Sequence, residues 1–181
     1  RPLTYATFYW NRHFCGNEPA SYRLLNLAIH GANGVLVFWL GLLLGRRDQQ
    51  GVSVWRRTAG PLLAALLFTA HPMATESVTY ITQRFESLAA LFCLLAFLVW
   101  HGHEQSASPV TRWMRRTLAA GLVLGAMLSK ETGVVAPVLV LLGDWLVSGA
   151  SPREAVRRAA PLLVLIPILP LLILAVSYIK E

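Results

Sequence analysis

The sequence predicts an all-α, polytopic transmembrane helix bundle, and three observations carry that prediction. Apolar residues make up 55% of the 181-residue chain and charged residues only 14%, against about 25% charge in soluble domains. Little polar side chain is therefore available to cover a water-facing surface. The apolar residues gather in long stretches free of Asp, Glu, Lys and Arg, and the arginines cluster in the short connections between them. Topology is written this way in membrane proteins, so the net charge of +7 reads as an orientation signal. No nucleic-acid partner is expected.

In chain order the charge-free stretches are 24–45, 58–75, 87–103, 117–129 and 159–179, with a sixth, 132–149, interrupted only by Asp144. Roughly 17–25 apolar residues cross a bilayer. The stretches 117–129 and 132–149 are short and are separated by Lys130-Glu131-Thr132-Gly133. They are predicted to form a broken pair with its polar junction at the membrane border. Placing Arg46/Arg47, Arg56/Arg57, Arg112/Arg115/Arg116 and Arg153/Arg157/Arg158 in the cytoplasm separates successive clusters by even numbers of crossings, which gives six crossings. The chain then reads as one transmembrane domain, 1–181, with 1–22 extracytoplasmic and 23–179 in membrane helices. It lacks an initiator Met and stops just after an apolar run, so it reads as a piece of a longer protein. Cys15 and Cys93 lie in dissimilar surroundings, and no disulfide between them is expected.

Three polar groups fall on the extracytoplasmic side, where charge at the membrane border is costly and marks function. Arg23, Asn26, His30 and Asn33 are spaced 3, 4 and 3 and predict one polar face of a helix. That face is either helix–helix glue or a cavity lining. The segment 71–86 holds His71, Glu76, Tyr80, Arg84 and Glu86. If 75–86 is helical, Glu76, Tyr80 and Arg84 share one face, and Pro72 ends the incoming helix. The alternative is an interfacial helix with ordinary salt bridges. A metal site on His71 and Glu76 lacks a third ligand, and no divalent metal or other cofactor is required. The third group, Lys130-Glu131, is either a self-neutralising pair or a point charge for phosphate at a broken helix. His101-Gly102-His103 reads as a solvated linker. Cations with carboxylates at this border suit an amphiphilic phosphate, such as a lipid-linked sugar or a phospholipid.

The ordered motifs are Arg1-Pro2-Leu3-Thr4, Tyr22…Asn26…His30…Asn33, His71-Pro72…Glu76-Ser77-Val78, Arg84-x-Glu86-Ser87-Leu88 and Leu128-Ser129-Lys130-Glu131. Together they resemble the GT-C superfamily of membrane glycosyltransferases, and within it the TMTC-like, tetratricopeptide-repeat-bearing branch of protein O-mannosyltransferases. The resemblance implies transfer of a sugar, such as mannose, from a polyprenyl- or dolichyl-phosphate donor to a protein or glycan hydroxyl, typically Ser or Thr. It implies an active site on the extracytoplasmic or lumenal face of a bacterial inner membrane or the endoplasmic reticulum. Lys130 and Arg84 match the family's donor-phosphate cations. His71, Glu76, Tyr80, Glu86, Glu131, Arg23, Asn26 and His30 match the cavity. The family's catalytic acid lies in a loop that ends near the Arg-Pro-Leu-Thr element, so it is expected upstream of Arg1. Arg23 stands where many relatives have His, and Glu86 where many have Asp.

The mechanism implied has that upstream carboxylate deprotonating the acceptor hydroxyl, whose oxygen attacks the anomeric carbon while Lys130 and Arg84 stabilise the departing lipid phosphate. The rival readings are a transporter or flippase for an amphiphilic phosphate-bearing lipid, and a noncatalytic membrane assembly subunit. Only one broken helix pair is visible in the sequence, without the second copy that transporters often carry.

Overall fold

A computed structural model describes residues 1–45, 53–102, 108–167 and 171. The described residues are mostly helical, with turns and single extended residues between the helices and no strand among them. The helices are α1 (Pro2–Cys15), α2 (Pro19–Leu44), α3 (Val54–Ala70), a short α4 (Thr75–Thr79), α5 (Arg84–His101), α6 (Pro109–Ser129), α7 (Ala136–Leu146) and α8 (Pro152–Leu163). Proline stands in the first turn of α1, α2, α6, α7 and α8, where its fixed φ suits a helix and its missing N–H costs nothing. Gly16 closes α1 with φ 67°, a left-handed conformation that favours glycine, and so turns the chain into α2.

Helices α2 and α3 form a close antiparallel pair. A Cβ on Gly34 would stand 2.3 Å from Thr69 Cγ2, and one on Gly41 would stand 2.8 Å from Pro61 Cβ. Small residues let the two backbones approach, as they do between membrane helices. Helices α5, α6 and α7 pack around a core of Ala96, Val123, Ala126, Met127, Ala136 and Val140, to which α8 adds Leu162. Helix α6 ends at Ser129, Lys130 is fully extended (φ −154°, ψ 154°), and a 3-10 turn over Glu131–Val135 leads into α7. The predicted break is thus centred on Lys130. Gly133 lies against the α6 backbone, where a Cβ would come within 2.3 Å of the Ala126 carbonyl carbon and oxygen.

By length and composition two helical runs can cross a bilayer, Pro19–Leu44 and Ile81–His101. At about 1.5 Å per residue α2 is about 39 Å long and α5 about 27 Å. Large apolar side chains such as Leu24, Leu27, Trp39, Leu63 and Leu67 are exposed on α2 and α3. Helix α6 is longer than its charge-free stretch: it begins at Pro109, and Arg112, Arg115 and Arg116 belong to its first turns. Most of the expected last crossing lies outside the described residues, as do Arg46, Arg47 and His103.

Two local expectations are corrected. Residues 75–86 do not form one helix: α4 ends at Thr79, Tyr80 is extended (ψ 116°), and a turn at Ile81–Gln83 precedes α5. The β-branched run Thr75, Val78, Thr79, Ile81, Thr82 is weakly helical, and Tyr80 gives its carbonyl to the Asn26 side chain instead. Glu76, Tyr80 and Arg84 therefore share no helical face. His101 is no solvated linker residue; it is buried in the last turn of α5.

Candidate functional site

The polar groups predicted to converge divide into two adjoining sets at the end of the bundle where α5 starts and α6 stops. The first is an ionic junction at the α6–α7 break. Lys130 Nζ is ion-paired with Glu86, and Thr132 Oγ1 donates to Glu86 Oε2 at 3.4 Å. Arg1 Nε donates to both carboxylate oxygens of Glu131, at 2.9 and 3.0 Å, and its guanidinium lies 5.3 Å from the centre of the Phe85 ring. Thr4, fully buried, donates to the Ser129 carbonyl at 3.1 Å and fastens α1 to the end of α6. Lys130 and Glu131 therefore do not neutralise each other; each has a partner on another element. The Arg1 hydrogen bond holds the Glu131 carboxyl below the usual carboxylate range, with a smaller contribution from a backbone hydrogen bond. The Lys130 side chain is 23% exposed and that of Glu86 47%, so this junction opens to the surroundings.

The second set is a buried cage around Arg84, which is 0% exposed. Its Nε donates to Asn26 Oδ1 at 2.8 Å; its Nη2 donates to Asn11 Oδ1 and to the Tyr22 carbonyl, each at 3.0 Å. The guanidinium stacks 4.5 Å from the Phe8 ring centre and 5.6 Å from that of Tyr22. Its Nη1 has no hydrogen-bond partner. These contacts reach α1 and α2. Glu86, about 200° further round α5 at 100° per residue, meets Lys130 instead. Arg84 and Lys130 are therefore not arranged as a two-cation clamp in this structure.

The polar face of α2 is present without Arg23, which is exposed. Asn26, His30 and Asn33 are buried and each meets a backbone carbonyl: Asn26 that of Tyr80 at 3.2 Å, His30 that of Thr69 at 3.2 Å, and Asn33 that of Ser87 at 2.9 Å. Here the stripe is interhelical glue, joining α2 to α3 and to the start of α5. His71 is exposed and accepts from the Met73 N–H through Nδ1 at 3.2 Å, capping the turn that Pro72 begins. Glu76 and Tyr80 are exposed nearby. Among the described residues no three His, Cys, Asp or Glu side chains gather as a metal would require.

The chain is 33% identical over 159 residues to the mouse protein O-mannosyl-transferase TMTC4 and 34% identical over 158 residues to its human counterpart, 82% of this chain in each. It is 35% identical over 136 residues, 74% of the chain, to the human protein O-mannosyl-transferase TMTC2. This segment belongs to the TMTC-like branch. It spans about a fifth or less of the length of these relatives, 21% of TMTC4 and 15% of TMTC2. No family model and no solved structure matches it.

Sequence reasoning about the TMTC-like segment missed Asn11 and Thr4, whose importance depends on α1 folding back onto α5 and α6. It also missed the pairing of His101 with Asp144. The signal available was weak: Asp144 is the lone charge within an apolar stretch, and an isolated charge there implies a partner.

Proposed function

We propose that the segment forms part of the membrane-embedded body of a protein O-mannosyltransferase, with Lys130 as the cation that meets the phosphate of a lipid-linked sugar donor at the extracytoplasmic border. The observation that carries this reading is the position of Lys130 on a non-helical break, partly exposed, and held by one exposed carboxylate instead of a buried network. Glu86 keeps the ammonium oriented, and the singly charged phosphodiester of the donor can take its place because an exposed ion pair is weak. The enclosed Arg84 acts here as a positioning residue that fixes α1 and α2 around the start of α5. Six crossings, the GT-C architecture and a polyprenyl or dolichyl carrier belong to the same proposal. The two span-length helices and the exposed apolar faces of α2 and α3 support a bilayer setting.

In the reaction the acceptor hydroxyl oxygen bonds to the anomeric carbon as the bond from that carbon to the phosphate oxygen breaks. The phosphate leaves with the electron pair, and the hydroxyl proton passes to a carboxylate base. Lys130 acts where negative charge accumulates, so its interaction is stronger in the transition state than with bound donor. The full-length enzyme in lipid nanodiscs, assayed for mannose transfer from dolichyl-phosphate mannose to an acceptor peptide, tests this. Lys130→Ala is expected to lower turnover about 10²-fold or more. Exchange of the two charges, Lys130→Glu with Glu86→Lys, should restore thermal stability without restoring turnover. Undiminished transfer by Lys130→Ala, or recovery of full activity by the exchange, would show that Lys130 serves only as a structural partner.

A further inference from the structure

The opposite end of α5 holds a second polar assembly, separate from the Lys130 junction. Asp144 of α7 is buried and accepts from the Trp100 indole N–H with both oxygens at 3.2 Å; His101 Nε2 stands 3.4 Å from its Oδ1. His101 Nδ1 lies 2.9 Å from the Phe97 carbonyl, which fixes the ring. The Asp144 carboxylate is thus engaged by the Trp100 edge. Arg112, Arg115 and Arg116 of α6 and Arg158 of α8 line a half-open pocket together with Trp100. The Arg116 guanidinium lies 5.6 Å from the Trp100 ring centre.

Convergence separates this assembly from an ordinary orientation signal, which needs basic residues at the correct end but not turned toward one another. Positions 112, 115 and 116 fall within about a 100° arc of α6, on the side facing α5 and α8. Arg157, next to Arg158, is exposed and does not line the pocket. Among the described residues neither Arg112 nor Arg116 is ion-paired. The neighbouring acid Glu154 caps α8 with Ser151 and also acts electrostatically on Arg158. Arg115 and Arg158 are engaged with other groups, so Arg112 and Arg116 are the cations left for a ligand; Glu104 lies outside the described residues. Guanidinium groups brought together beside an aromatic ring match the oxygens of a phosphate, which their planar forks can bind in pairs. With α5 about 27 Å long, the pocket lies roughly one hydrocarbon thickness from the Lys130 junction, at the level of the opposite leaflet's headgroups. Basic pockets between membrane helices are a known setting for anionic headgroups.

We propose that the pocket between α5, α6 and α8 binds the phosphate of an anionic phospholipid in the leaflet opposite the Lys130 junction. This site requires that α5 cross the bilayer; it does not require the transferase reading. Native mass spectrometry of the full-length protein, with phosphatidylglycerol and phosphatidylcholine offered in equal amounts, tests it. The wild type should retain phosphatidylglycerol selectively, and Arg112→Gln with Arg116→Gln should weaken retention about fivefold for each arginine removed. Because both side chains are exposed, this variant should fold, and an unchanged melting temperature without added lipid checks that. Trp100→Leu, which removes the aromatic ring, should weaken retention on its own. Equal retention of phosphatidylglycerol by wild type and the double variant would overturn the site. Competition by millimolar inorganic phosphate, with no preference for phosphatidylglycerol over phosphatidylcholine, would overturn the lipid assignment in favour of a free anion.

Discussion

Replacing Arg84 separates a positioning role from a phosphate-binding one, because the two roles change different observables. Arg84→Met keeps an unbranched side chain of similar reach but removes the charge and every donor. Two buried acceptors and one part-buried acceptor lose their partner: Asn26 Oδ1, Asn11 Oδ1 and the Tyr22 carbonyl. A polar pair between membrane helices contributes about 0.6 kcal/mol on average and about 1.7 kcal/mol at most. Three such losses therefore predict destabilisation of about 2–5 kcal/mol. Arg84→Lys retains the charge but not the planar fork, and should fall between wild type and Met. Equilibrium unfolding of the full-length protein in mixed micelles, followed by tryptophan fluorescence, reads these differences. A double-mutant cycle with Asn26→Ala should return a coupling of about 0.6 kcal/mol or more for the 2.8 Å bond. Arg84→Met unfolding within about 0.5 kcal/mol of wild type, with a raised donor KM, would refute the positioning role. That outcome would turn the guanidinium toward the donor and return Arg84 to the phosphate site.

Two further predictions concern the α6–α7 junction. The Glu131 carboxyl is held below its usual range by Arg1, so the bond to Arg1 is fully present above the ordinary glutamate pKa and is lost as pH falls through the depressed one. A ¹³C-detected titration of Glu131 should show its midpoint moving up toward the ordinary value in Arg1→Gln, and an unmoved midpoint would remove Arg1 as the cause. Gly133→Ala places a methyl group against α6 backbone atoms that cannot move independently. It should cost about 1–3 kcal/mol in the same unfolding assay, and a neutral result would mean that the turn does not pack on Ala126.

The features legible in the sequence were those written in local pattern. The α2 polar face could be read from spacing alone, and three of its four members are buried together; Arg23 leaves the set because it lies at the start of the helix, where its long side chain reaches outward. Pro72 ended α3, and Lys130 fell in the break between α6 and α7, as the proline and the interrupted apolar run implied. The features not legible depend on distant segments meeting. The burial of Arg84 requires α1 to lie over α5, and nothing in the spacing of 71–86 encodes the position of Phe8 or Asn11. The start of α6 was hidden because Arg112, Arg115 and Arg116 look like a loop to a charge-based reading, although one face of the same helix carries them. His101 looked solvated beside Gly102 and His103 because its partner, Asp144, is 43 residues away in the chain.

Helix α5 is secured at both extremities, at Arg84 by side chains of α1 and α2 and at Trp100 by the α7 carboxylate. A rod pinned at its two ends resists sliding along its axis, whereas Lys130 lies extended between two helices, its backbone tied to Ala126 and Gly133 and its side chain held only by the exposed carboxylate of Glu86. On the function proposed above, an incoming phosphate would displace the Lys130 side chain, with α5 as the stationary reference. Since Glu86 rides on that fixed rod, such an exchange would move the lysine and leave the carboxylate in place.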